Sequence, residues 1–336
     1  MKIDGGLGDD LAAAPAAAAR IEQEGYGGLW VGEANGHDPF LTCLQAISAT
    51  ERITVGTAVA IAFGHAPMTL AGTAYDLARH SRGRFILGLG SQIQAHIERR
   101  YSMPWSRPAA RMREFILALH AIWANWQDGV PLNFEGEFYT HTLMTPFFAQ
   151  RSHDYGPPPI YLAGVGDLMT EVAGEVADGF FVHPFTTARY VREITLPALL
   201  RGRAKAGKND LEGYVICGPA LVAVGRTEEE ITKAIRGVKR QLAFYASTPA
   251  YRKVLDLHGW GDLQPELTRL SKQNRWRDMT GLITEEMVAE FALIGTPEDV
   301  ARGLDSKIGD VYDRATLYVP YDLDPAALAI LVDGRR

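Results

Sequence analysis

The chain has 336 residues, with 34 Lys and Arg against 40 Asp and Glu for a formal net charge of −6, and it is 47% hydrophobic and 22% charged. That balance excludes a disordered chain, which lacks apolar residues to bury, and a general nucleic-acid binder, which needs a basic surplus. No apolar run reaches the roughly 18 residues that span a bilayer, the N-terminus MKIDGGLGDD lacks a signal peptide's apolar stretch, and Cys43 and Cys217 are too few for a disulfide or zinc framework; a soluble cytoplasmic enzyme with a small-molecule substrate is expected, with neither nucleic acid nor membrane as partner.

Short apolar runs alternate with longer amphipathic stretches along the chain. Lys2–Asp4 reads as a strand and the Ala-rich 10–24 as a helix closed by Gly25. GLWVGE at 28–33 is a second strand, Pro39–Thr50 a helix, the β-branched 53–60 a third strand, and Pro67–His80 a helix. Phe85–Leu89 is a fourth strand, followed by a long helix over 108–126 with Met112, Phe115, Ile116, Leu119 and Trp123 at helical spacing. Residues 130–148 alternate around a Glu135-Gly136 turn and predict an inserted β-hairpin. Strands follow at 160–163, 180–183, 214–224 and 315–319, each with a helix behind it, and Thr296-Pro297-Glu298-Asp299 is a helix start with Thr296 as N-cap. Residues 247–293 fall outside the count and read as a helical insertion before strand eight, either a lid or a solvated appendage or dimer contact. Eight strand-then-helix units with no linker between them predict one domain over residues 1–336, an α/β fold closed as a (β/α)8 TIM barrel.

In such a barrel the site lies at the C-terminal strand ends. Strand two there offers Glu33, Asn35, His37 and Asp38. Strand three offers Thr57, Ala58 and Val59, and strand four Gly88, Gly90, Ser91 and Gln92. Strand five offers Ala163, Gly164, Val165, Gly166 and Asp167, and strand six His183. The glycines suit close backbone approach by a large flat ligand. Each G-x-G stands where N–H groups at a helix start could meet phosphate, or simply forms a tight turn. Asp38 with Pro39 reads as a helix cap that braces His37, whose ordinary pKa near neutrality suits proton transfer. Glu33 is either a partner for His37 or a second proton-handling group. No zinc motif and no G-x-S-x-G elbow is present.

Together these residues resemble the luciferase-like monooxygenase superfamily, and within it the oxidoreductases that use the deazaflavin coenzyme F420. The resemblance runs through Tyr26–Val31, Glu33, His37–Phe40, Arg52–Val59, Gly83–Ser91, Ala177–Phe180, Ile294–Glu298 and the hairpin's Gly136–Tyr139. It implies a barrel with a flavin or deazaflavin at its mouth and a non-prolyl cis peptide, here Ala58-Val59, behind the central ring. On this sequence it implies cofactor contacts from Thr57, Ala58, Val59, Gly90, Ser91, Gln92, Ala163, Gly164, Val165, Gly166 and His183. It makes His37 the proton-handling residue, with Glu33 beside it, although the sugar-phosphate dehydrogenase branch has an Asp-His pair at the strand end where this chain has Glu33 and, four residues on, His37. The implied activity is hydride transfer between coenzyme F420 and an organic substrate, by a homodimer. FMN-dependent oxygen insertion is the alternative, and flavin binding without turnover a third reading.

Overall fold

The computed structural model describes residues 1–33 and 36–333, so Asn35 lies outside it. Eight parallel strands form its centre: β1 (Lys2–Gly6), β2 (Gly28–Val31), β3 (Thr54–Thr57), β4 (Phe85–Gly90), β5 (Ile160–Ala163), β6 (Gly179–Phe181), β7 (Val215–Val224) and β8 (Arg314–Tyr318). Each pairs with the next, and β8 returns to β1 in the register Ile3 to Ala315, so the sheet is a closed (β/α)8 barrel. The side chains alternate with period two. Leu29, Val55, Phe85, Leu87, Ile160, Leu162 and Phe180 face outward into the main core, under the helices. Trp30, Ile86, Tyr161 and Cys217 form a separate cluster in the lumen.

The helices begin and end where local chemistry allows. α1 (Ala14–Gln23) and α2 (Pro39–Ser48) follow β1 and β2, and the Asp38 carboxylate caps α2 by accepting the Phe40 N–H at 2.8 Å. α3 (Pro67–His80) and α4 (Pro108–Asp128) follow β3 and β4, and α4 stops at Gly129 in the left-handed conformation. The inserted hairpin pairs only Phe134–Glu135 with Thr140–His141, much less than the alternation over 130–148 suggested. Its turn is held by Glu114 of α4, whose carboxylate accepts the N–H groups of Glu137, Phe138 and Tyr139. α5 (Asp167–Val176), α6 (Leu196–Lys205), α7 (Glu228–Ala246) and α8 (Pro325–Asp333) complete the ring.

Two sequence expectations change. Strand three does not run through to Ala60: it stops at Thr57, the Ala58-Val59 peptide is cis, and Ala60–Ile61 resumes pairing with Leu89 and Gly90. The segment 247–293 is not helical to its end. Ala292–Gly295 is a strand on the outer part of β7, with Leu221 to Ala292 and Val224 to Gly295 in register, because β7 outruns its partners in the barrel. The preceding helices bury Val254, Leu267, Leu270, Met279 and Met287 against Val238 and Leu242 of α7, which gives the insertion a core of its own. Among the described residues, no helix is long and apolar enough to cross a membrane.

The lumen floor carries a feature that the sequence reading passed over. Asp4 of β1 is 2% exposed and accepts Arg314 Nη2 on Oδ1 at 2.7 Å and Arg314 Nε on Oδ2 at 2.7 Å. Trp30 Nε1 donates to the same Oδ2 at 2.9 Å, and the Arg314 guanidinium lies 5.5 Å from the Trp30 ring centroid. Burial pushes the Asp4 carboxyl above its ordinary range, against the pull of Arg314. Gly28 is required beside this clasp, since a Cβ there would collide with the guanidinium. Removing one partner leaves the other buried charge uncompensated, so Arg314→Met should lower stability in urea unfolding by about 3–5 kcal/mol. The Asp4→Asn/Arg314→Met pair should recover much of that loss, and a single-variant loss under about 1 kcal/mol, the range of an exposed pair, would contradict the assignment.

Candidate active site

A cavity of about 1330 Å³ opens at the C-terminal ends of the strands. Single-ligand pockets run to roughly 1,000 Å³, so this one has room for a cofactor and a substrate together. Trp30, Phe181, Cys217 and Thr316 are its floor. Trp30 meets Phe181 edge-on at 5.0 Å, with the Asp4–Arg314 clasp below.

Ten of the residues that the sequence singles out for a cofactor line this cavity: Ala58, Val59, Gly90, Ser91, Gln92, Ala163, Gly164, Val165, Gly166 and His183. Thr57 does not line it. Its side chain is buried behind the cavity wall, where Oγ1 donates to the Gly88 carbonyl at 2.7 Å and accepts the Gly88 N–H at 2.9 Å. That seam is tight enough to demand glycine at 88, because a Cβ there would collide with the Thr57 carbonyl. Gly166 sits at φ +82° ahead of α5, without a side-chain cap, and a Cβ there would enter open space. The wall thus presents backbone along β4 and β5 and an uncapped helix start beside it.

The proton-handling residues are arranged otherwise than expected. Glu33 and His37 do not pair. Glu33 is buried and accepts the Ile61 N–H at 2.6 Å, while both its oxygens lie within 3.2 Å of His65 Nε2. Its own N–H donates to the Val59 carbonyl at 3.2 Å. Glu33 therefore clamps the break in β3 from behind. His37 is about half exposed and its Nε2 is 3.4 Å from the Asp9 carboxylate. Neither is among the residues that line the cavity.

Residues not singled out from sequence complete the walls. Tyr251, at the start of the insertion, and Tyr318 of β8 face the cavity, and the Tyr318 hydroxyl is 3.0 Å from that of Tyr245. Arg107 is paired with Glu137 and Lys253 with Asp167. Trp30 and Trp105 also reach the cavity, whereas Phe63 is buried under Trp105, Trp260 stacks on His258, and Trp276 is exposed. The insertion therefore supplies one wall with its first residues and packs the rest on α7. Among the described residues no group of His, Cys, Asp or Glu is arranged to hold a metal.

The model of the luciferase-like monooxygenase family matches residues 2–313. The chain belongs to that family. A functionally uncharacterised protein of Mycobacterium tuberculosis is 49% identical over 336 residues, covering 100% of this chain and 98% of its own. The 5,10-methylenetetrahydromethanopterin reductase of Methanolobus tindarius is 27% identical over 292 residues, 84% of this chain and 82% of its own. Among solved structures, the coenzyme F420 dependent tetrahydromethanopterin reductase from Methanopyrus kandleri superposes with a TM-score of 0.78 at 19% identity, covering 99% of this chain and 97% of the other. Monooxygenases share the fold as well.

The Glu33–His65 contact gives a pH test. Its hydrogen bond holds His65 above the ordinary histidine value, against the opposing effect of burial. The pair's contribution is then fully present below the unfolded-state pKa of about 6.5 and lost as pH rises through the higher folded-state value. Stability measured by urea unfolding should fall more between pH 6 and 9 in the unsubstituted protein than in His65→Gln, and parallel profiles would contradict the pairing.

Proposed function

We propose that the chain is an oxidoreductase that transfers a hydride between coenzyme F420 and an organic substrate held in the same cavity. The observation that carries this is the unbroken backbone strip from Ala58-Val59 through Gly90-Ser91-Gln92 to Ala163–Gly166, with space in front of it. A flat ring needs that close backbone approach, and Gly90 makes room for Val59, which would lie behind the ring: a Cβ at 90 would meet Val59 Cγ2 at 2.7 Å. The residues present fit a deazaflavin. Ala58 and Val59 would back the ring, Gly90–Gln92 would border it, and the uncapped start of α5 after Gly166 would receive an anionic tail. When bound, the deazaflavin supplies or accepts the hydride at its ring carbon.

The chain's own part is to hold, shield and protonate. Trp30, Phe181 and Trp105 give the cavity apolar walls that exclude water from the reacting atoms. His37, on the loop braced by the Asp38 cap, stands outside the cavity lining and is the proposed proton donor by way of a bridging water, and Glu33 keeps the β3 break in place behind the ring. Reductases among the relatives and solved structures support this reading. The second reading, an FMN-dependent monooxygenase, is supported by the monooxygenases that share the fold.

Fluorescence titration of the purified protein should show tighter binding of coenzyme F420 than of FMN, and binding of FMN alone would overturn the proposal. In single-turnover stopped flow, His37→Ala should keep coenzyme affinity and lose at least about tenfold in rate, a floor on the contribution of a positioned acid. An unchanged rate would move the proton source to another group.

A further inference from the structure

The half of the cavity away from the cofactor strip is built from Pro219, Thr248, Tyr251, Thr316 and Tyr318. Its chemistry restricts what can bind. Every Arg, Lys, Asp or Glu among the described residues lining the cavity already has a partner, Arg107 with Glu137 and Lys253 with Asp167. An anionic substrate group would lose its water against an apolar wall with no unpaired cation to replace it.

His183 stands at this half. Its ring lies 4.2 Å from Tyr251 at 31° and 5.3 Å from Tyr245, edge-on. Nδ1 accepts the Phe185 N–H at 3.0 Å, and a nitrogen that accepts carries no proton, so the neutral ring bears its proton on Nε2. Nε2 has no protein partner among the described residues, and His183 lines the cavity. We propose that His183 is the specificity-determining anchor for an uncharged, ring-bearing carbonyl substrate: Nε2–H donates to the carbonyl oxygen while the substrate's ring rests against Tyr251 and Tyr318. Burial holds the imidazole's pKa down to about 4, so the donor is uncharged throughout the neutral range. One neutral donor satisfies a ketone or aldehyde oxygen, but it brings no charge to offset the desolvation of a carboxylate or phosphate beside it. The proposal takes the position of the cofactor from the function proposed above, and its test separates the two.

The test uses the cofactor-free protein with 2-acetylnaphthalene labelled with ¹³C at the carbonyl. Calorimetry should show binding, and isotope-edited infrared spectroscopy should show the carbonyl stretch below its value in hexane. His183→Phe should remove the shift and weaken binding about tenfold, the loss expected for one hydrogen bond in an apolar site. His183→Gln, which keeps an N–H donor, should retain both shift and affinity, and it carries the test if the Phe variant does not fold. The anion 2-naphthoate should bind at least about tenfold more weakly than the ketone, the same margin. Saturating coenzyme F420 should leave the ketone bound. An unshifted carbonyl, equal binding of naphthoate, or displacement of the ketone by the coenzyme would each overturn the proposal. If the ketone binds as described and the coenzyme does not bind at all, the anchor stands and the proposed function alone falls.

Discussion

Asp4 and Arg314 lie 310 positions apart in the chain and meet inside the barrel, in a two-pronged ion pair that joins the first strand to the last. Everything above depends on that closure. A buried carboxylate tolerates its position only with its lone pairs occupied, and here the guanidinium and the Trp30 indole occupy them. The clasp sets Trp30 across the lumen, where Phe181, Tyr161 and Cys217 pack around it. Because the lumen is filled to this level, a ligand can enter only above it, at the strands' C-terminal ends.

The mouth is shaped by a second constraint, the interruption of β3. After Thr57 the chain leaves the barrel wall for two residues, Ala58 and Val59, and returns at Ala60 to pair with β4. The excursion needs support from both sides. In front of the wall the space at Gly90 is filled by Val59, and behind it Glu33 binds the Ile61 N–H while His65 holds the second face of the carboxylate. A charged residue at a strand end can thus serve the shape of a site without reaching into it.

The difference between what sequence showed and what it hid follows from this. Strand and helix periodicity is local, so the eight units, the Asp38 and Thr296 caps and the glycine-rich strand ends were all legible. The cis Ala58-Val59 bond and the eleven cofactor contacts came through resemblance, and ten of the eleven line the cavity, His183 on the half proposed for substrate. Thr57 does not line it, because its side chain turns toward Gly88 and away from the mouth. The pairing of Glu33 with His65 spans 32 positions and that of Asp4 with Arg314 spans 310, and no local pattern encodes a partner at such a distance. The place of Tyr251 in the cavity wall was hidden for a related reason: the insertion reads as one helical block, while only its first residues turn into the mouth.

The two halves of the cavity divide the work between backbone and side chain. The β3–β5 side offers main chain and glycine, suited to a ligand recognised by shape, and the β6–β8 side offers tyrosines and one tautomer-locked histidine, suited to a ligand recognised by a single polar atom. The most direct test of this arrangement is a crystal structure of the protein grown with coenzyme F420. The account predicts density for the deazaflavin ring along Ala58-Val59 and Gly90–Gln92, with its tail at the start of α5 and the space before His183, Tyr251 and Tyr318 left open. A ring lying against Tyr251 and Tyr318, or a coenzyme bound outside this cavity, would contradict it.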